Sequence, residues 1–104
     1  MKVKIPSSIK LGAYTYTLSL QENYKLNRGT WATTNHTLSE ITIESALSPS
    51  ERDLTLLHEC LHIISEIYRL NLDEDNIERL QNGLGELLFR DLDIKFDWSE
   101  VRNE

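Results

Sequence analysis

The sequence is organised around one stretch rich in apolar residues, Leu54-Thr-Leu-Leu-His-Glu-Cys-Leu-His-Ile-Ile-Ser-Glu-Ile-Tyr68. Strong helix signals precede it, because Ser48 can cap a helix, Pro49 suits the first helical position and Glu51 completes a capping box. We predict a helix that runs to about Leu70 and has a broad apolar side. That side comprises Leu54, Leu57, Leu61, Ile64 and Tyr68, with Leu56, Cys60 and Ile67 beside it.

The same stretch contains an H-E-x-x-H pattern, His58-Glu-Cys-Leu-His62. Residues four apart on a helix lie one above the other, so His58 and His62 can bind one zinc ion. Glu59 can act on a water molecule at the metal without being a ligand itself. At roughly 100° per residue, both histidines fall just past the edge of the apolar side. This position suits ligands that line a cleft, and it also suits plain surface residues.

A third ligand must come from outside the motif, because catalytic zinc usually takes three protein ligands and leaves one position for water. The metzincin extension is excluded, since Ser65 and Tyr68 stand where that class has glycine and histidine. We expect an acidic residue of the next helix, and the candidates are Glu74, Asp75 and Glu78. Helical phase favours Glu74 over Glu78, although either can be a first-turn acid that interacts with the helix dipole.

Further polar residues are candidates for the site. His36 follows Asn35 in a predicted turn and is better interpreted as a loop residue than as a ligand or transition-state stabiliser. Cys60, the only cysteine, lies in the apolar sector and is interpreted as a small core residue. Hydrolysis also needs a group that stabilises the oxyanion. The sequence does not choose among Tyr14, Tyr16, Tyr24, Tyr68 and Arg69 for that role.

A small sheet, antiparallel in part, is predicted before the central helix, because several segments alternate apolar and polar residues. Residues 7–12 are predicted as a turn, 21–29 as a loop, and 101–104 as frayed. The predicted strands are 3–5, 14–20, 31–34 and 40–44, with a final extended segment at 94–98. In the strand 40–44 we expect Ile41 and Ile43 to point inward.

A second helix is predicted from about Glu74 to Phe89, and the short loop before it makes the two helices antiparallel neighbours. Gly83 and Gly85 are expected to allow close packing against the first helix. The predicted buried stripe of the second helix comprises Ile77, Leu80, Leu84, Leu87 and Leu88.

Composition favours one small globular domain over residues 1–104, with 39% hydrophobic and 27% charged residues. The net charge of −6 and the scattered lysines argue against nucleic-acid binding. A single cysteine excludes an intramolecular disulfide. The N-terminal residues have no apolar targeting segment and no membrane span is predicted, so we expect a cytoplasmic protein.

With these features, the chain resembles the small zincin-like metallopeptidases of phages and bacterial mobile elements, relatives of the ImmA/IrrE group. The resemblance covers roughly residues 38–90. It is carried by Glu40-Ile-Thr-Ile-Glu44, by residues 56–64, which contain the H-E-x-x-H pattern, and by the acidic segment 73–84. It implies an α+β, minimal zincin-like fold with a three- to four-stranded sheet, an active-site helix and a second antiparallel helix. It also implies that His58 and His62 bind zinc, that Glu59 is catalytic, and that the acidic ligand is one of the two glutamates named above.

The sequence therefore predicts a phage-derived, zinc-dependent metallopeptidase-like protein that cleaves a peptide bond in a protein or peptide substrate. Zinc would lower the pKa of its bound water towards about 7, and Glu59 would take the proton and pass it to the leaving amine. One alternative is a non-enzymatic acidic binding or inhibitor protein on a zincin scaffold. Another is an α+β interaction module in which the motif is coincidental.

Overall fold

The computed structural model describes residues 1–104, and it shows an α+β fold in which a mixed five-stranded sheet packs against one long helix. The helices are α1 (Tyr24–Arg28), α2 (Pro49–Ile67) and α3 (Glu74–Gly85), and α3 continues into a π-helical turn, Glu86–Asp91. The strands are β1 (Lys2–Lys4), β2 (Ser8–Leu11), β3 (Tyr14–Gln21), β4 (Ala32–Asn35), β5 (Glu40–Glu44), β6 (Lys95–Asp97) and β7 (Arg102–Asn103).

Strand β3 lies at the centre of the sheet. Along one edge it pairs with β2, which is antiparallel to it, and further on with β7, which is parallel. Along its other edge it pairs in parallel with β5, and β5 pairs with the antiparallel β4. Strands β1 and β6 form a separate parallel pair. This order leaves β4 as an edge strand, with one side free of sheet partners.

The core lies between the sheet and α2. Leu18 of β3, Ile41 and Ile43 of β5 and Ile63 of α2 each have 0% of their surface exposed. The strand residues follow the alternation in the sequence, because successive side chains of a strand point to opposite faces. The predicted inward direction of Ile41 and Ile43 is therefore confirmed.

Helix α2 begins as the capping signals predict and ends earlier than expected. The Ser48 hydroxyl accepts a hydrogen bond from the Glu51 backbone N–H at 3.4 Å, and Pro49 is the first helical residue. The helix ends at Ile67, because the chain becomes left-handed at Arg69, with a φ of 53°. The predicted end at about Leu70 lies beyond this reversal.

Three predictions about the sheet and its loops are wrong. The sheet has five strands rather than three or four, because Ser8–Leu11, predicted as a turn, and the C-terminal β7 both pair with β3. The predicted strand at 3–5 lies outside this sheet, since β1 pairs with β6. The predicted loop at 21–29 contains α1. The predicted frayed end instead adds β7 to β3, and the Glu104 N–H donates to the Leu20 carbonyl at 2.7 Å. Val101 is 7% exposed, so its burial helps to hold this end in place.

The predicted apolar stripes are also wrong in part. Tyr68 is 60% exposed because it lies at the C-terminal cap of α2, beyond the packed turns. Leu80 of α3 is 43% exposed, since α3 packs against α2 and its buried residues are only Ile77 and Gly85. Leu87, in the π-helical turn that follows and that has no buried residue, is 48% exposed. One helix partner covers one narrow face, and the rest of α3 stays at the surface.

The two long helices are antiparallel, as predicted. Glu74, at the start of α3, contacts His62 in the second half of α2. Gly85, at the end of α3, lies against Leu54 near the start of α2, where an added Cβ would be 2.7 Å from Leu54 Cδ2. Gly83 has no neighbour within 4 Å of such a position, so only one of the two glycines has the predicted packing role. No helix in the structure combines the length and apolar character that crossing a bilayer requires.

Candidate metal centre

Two packed helices bring the donor atoms of the centre together. His58 and His62 lie one turn apart on α2, and their side chains are 21% and 36% exposed. Glu74 is the first residue of α3, whose start is fixed because the Asp73 carboxylate accepts the Asn76 backbone N–H at 2.8 Å. The antiparallel packing of α3 places this start beside the middle of α2.

The distances fit a single small cation. Glu74 Oε1 lies 2.8 Å from His58 Nε2, and Glu74 Oε2 lies 3.0 Å from His62 Nε2. The two Nε2 atoms are 3.1 Å apart. In a tetrahedral site with bonds of about 2.0 Å, ligand atoms are about 3.3 Å apart, so the two Nε2 atoms already have close to the spacing that one zinc ion requires. Two imidazoles and a carboxylate are also a donor set that zinc takes in catalytic sites.

The structure separates the three acidic candidates for the third ligand. Of these, only Glu74 forms a group with the two histidines, in which one donor atom from each residue lies within 4.8 Å of the others. Glu78 lines an adjoining cavity together with His58, and Asp75 is exposed outside the group. The structure therefore brings together His58, His62 and Glu74, which are the three residues that the sequence favoured as metal ligands.

Glu59 lies beside this group as a nearly buried carboxylate. It is 8% exposed and lines the same cleft as the two histidines. Its Oε1 accepts a hydrogen bond from the Thr34 hydroxyl of β4 at 2.8 Å. This contact joins α2 to the edge strand and leaves the other carboxylate oxygen without a protein partner. The neighbouring Cys60 packs against the core, and burial, with a smaller contribution from the Glu59 charge, raises the pKa of its thiol to about 11.

A polar cleft of about 940 Å³ runs past the group between β4, α2 and the start of α3. Its charged lining consists of Glu59, Glu66 and Glu74 with a single opposing cation, Arg69. The remaining lining residues are mostly small and polar, among them Thr30, Thr33 and Ser65. The cleft is thus open, hydrophilic and predominantly acidic.

His36 lies in a turn, as predicted, and it also lines this cleft. Its Nδ1 is 3.1 Å from the Tyr16 hydroxyl. Burial, with smaller contributions from Tyr14 and Glu66, raises the pKa of Tyr16, so this phenol stays protonated and can donate to Nδ1. The other ring nitrogen of His36 would then carry a proton.

The candidate oxyanion donors are now distinguished by position. Arg69 lines the cleft directly, and Tyr16 reaches it through His36. Tyr24 is buried and bonded to Thr33, while Tyr14 and Tyr68 are exposed and do not line the cleft.

One residue of the centre was missed by the sequence reasoning. Gln81 Oε1 lies 2.6 Å from His58 Nδ1, on the side of the ring opposite the Nε2 that faces Glu74. A signal was present, because Gln81 follows Glu74 by seven residues, or about two helical turns, and so shares its face of α3.

Comparisons of the chain with protein-family models, curated proteins and solved structures gave no match. The site is therefore defined by its own geometry. His58, His62 and Glu74 form a group that can bind a metal ion, and a buried carboxylate lies beside them in an open cleft.

Proposed function

We propose that the chain is a cytoplasmic, phage-encoded, zinc-dependent metallopeptidase-like protein with a minimal zincin-like arrangement. It would hydrolyse a peptide bond in a protein or peptide substrate. One observation carries the proposal: Glu74 of α3 meets both motif histidines within 3.0 Å, in a cleft that also contains Glu59. A carboxylate from another helix thus contacts both motif histidines, which supports a metal site over a coincidental H-E-x-x-H pattern.

The residues of the chain have distinct roles in this proposal. His58, His62 and Glu74 would hold the zinc ion, which supplies Lewis-acid chemistry when bound. Glu59 would hold the proton of the attacking water and release it to the leaving amine. The Thr34 hydroxyl occupies one oxygen of Glu59, so the free oxygen is the one that takes the proton.

The edge strand supports a peptide as the substrate. The Glu44 N–H donates to the Trp31 carbonyl at 2.8 Å, so residues 31, 33 and 35 direct their backbone groups towards β5. Ala32 and Thr34, which alternate with them and line the cleft, direct theirs towards the free edge. The Thr30 hydroxyl contacts the Ala32 carbonyl, which leaves the N–H groups of Ala32 and Thr34 open. An extended peptide can pair with such an edge.

Zinc binding tests the proposal first. We expect purified protein to bind one zinc ion, and we expect His58→Ala, His62→Ala and Glu74→Gln each to weaken that binding strongly. Glu78→Gln is the matched control, because it makes the same change one turn along α3 on a residue outside the group. Equal zinc affinities for the two glutamine variants would refute the assignment of Glu74.

Hydrolysis is tested separately with Glu59→Gln. This variant should keep zinc and lose cleavage of an unstructured protein such as casein, because the amide cannot take a proton from water. Activity that survives the substitution would refute Glu59 as the general base.

A non-enzymatic binding protein is the second candidate, favoured by the acidic lining of the cleft and the net charge of −6. In that case the protein would bind a basic partner, and Glu59→Gln would retain that binding because no hydrolysis is involved. The binding would weaken as the salt concentration rises. Zinc-dependent cleavage that is lost in Glu59→Gln would exclude this candidate.

A further inference from the structure

Gln81 is the only residue outside the donor group whose side chain bonds directly to a histidine of the group. Its amide oxygen lies 2.6 Å from His58 Nδ1, while His58 Nε2 faces Glu74. We propose that Gln81 is a positioning residue, which holds the His58 ring so that Nδ1–H donates to the amide and Nε2 is directed at the metal. This inference rests on the proposed zinc site and adds a residue to it.

The physical reason lies in the two ring nitrogens of histidine. A neutral imidazole carries one N–H, and only the nitrogen without it can bind a metal ion. An acceptor placed at Nδ1 stabilises the form in which Nε2 is free, and it also fixes the rotation of the ring. The Gln81 amide oxygen is such an acceptor, and its residue is half-buried, so water competes with it less than at an exposed position.

The two histidines are held differently. His58 has Gln81 on one side and the donor group on the other. His62 has no comparable partner, and its side chain is more exposed, at 36% against 21%. Preorganisation of the centre therefore depends mainly on His58.

One helix supplies both contacts. Glu74 and Gln81 lie about two turns apart on the same face of α3, so the docking of α3 sets the ligand and the positioning contact together. The close approach of Gly85 to Leu54 fixes this docking at the far end of the helix. A substitution at Gln81 thus probes the contact without moving the helix, provided that the new side chain keeps the length of glutamine.

Gln81→Met meets that requirement, because methionine has a similar length and only a weak acceptor. Zinc affinity would be measured by competition with a chromogenic chelator. We expect Gln81→Met to bind zinc about 10–100-fold more weakly than the wild type. Gln81→Glu, which restores an acceptor oxygen, should bind at least as tightly as the wild type. Asn82→Leu, which removes an amide from the next, exposed position of α3, should have no effect.

A second readout separates positioning from general destabilisation. In zinc-loaded wild type, the His58 Nδ1–H should give a slowly exchanging NMR signal, which is lost in Gln81→Met while thermal unfolding of the metal-free protein is unchanged. Wild-type affinity in Gln81→Met would overturn the inference and leave the proposed function standing. Failure of the wild type to bind zinc would overturn both.

Discussion

Asp53 joins the C-terminal segment to α2, and its replacement by alanine should lower the stability of the protein markedly. Asp53 is 5% exposed. Oδ1 accepts the Trp98 indole N–H at 2.7 Å, and Oδ2 accepts the Phe96 backbone N–H at 3.2 Å. Alanine removes both acceptors and leaves the indole N–H, which is buried, without a partner.

The magnitude follows from these two contacts. A hydrogen bond to a charged group contributes about 1.5–3 kcal/mol, and the partly exposed Phe96 contact lies at or below the low end because water can replace it. We therefore expect Asp53→Ala to lower the free energy of unfolding by about 2–4 kcal/mol. For a domain of this size, about 1 kcal/mol shifts the midpoint of thermal unfolding by roughly 4–8 °C, so the midpoint should fall by roughly 8–32 °C.

Urea and thermal unfolding followed by circular dichroism measure this effect. Asp53→Asn should cost less than alanine, because an amide oxygen can still accept from Trp98. Trp98→Phe should make a subsequent Asp53→Ala less costly, since the shared contact is already absent. A loss below about 0.5 kcal/mol for Asp53→Ala, the range typical of surface substitutions, would refute the reasoning.

Two further predictions concern Cys60 and the glycines of α3. Because the pKa of Cys60 is raised from 9.0 to about 11, the thiolate fraction at pH 8 falls roughly 100-fold, and so should the rate of reaction with a disulfide reagent. This rate should keep rising until the pH passes about 11, whereas a plateau near pH 9 would contradict the burial of the thiol. Gly83→Ala should stabilise the protein by about 0.5–1 kcal/mol, because alanine favours the helix and meets no neighbour. Gly85→Ala should stabilise the protein less than Gly83→Ala, or destabilise it, because the added Cβ would displace the Leu54 side chain. Equal changes in the free energy of unfolding for the two variants, measured in urea, would refute this packing.

Helix caps and the alternation of apolar residues predicted α2, β3 and β5, whose conformation depends on residues close together in the sequence. The Ser48 cap and Pro49 predicted the start of α2, and alternation predicted β3 and β5, with Ile41 and Ile43 of β5 buried. These predictions succeeded because caps and periodicity act over a few residues. Ser8–Leu11 also alternates, but it is only four residues long, and it was missed because pairing with β3 decides its conformation.

By itself, the sequence determined the α+β class, the long helix with its two histidines and Glu59, and a short list of acidic candidates for the third ligand. These follow from residue spacing along one element. Only the tertiary structure decided that Glu74 joins the histidines, that Gln81 contacts His58, and that the chain end completes the sheet. Each of these depends on how two distant segments pack, and the periodicity within one segment does not specify the distance or the angle to its neighbour.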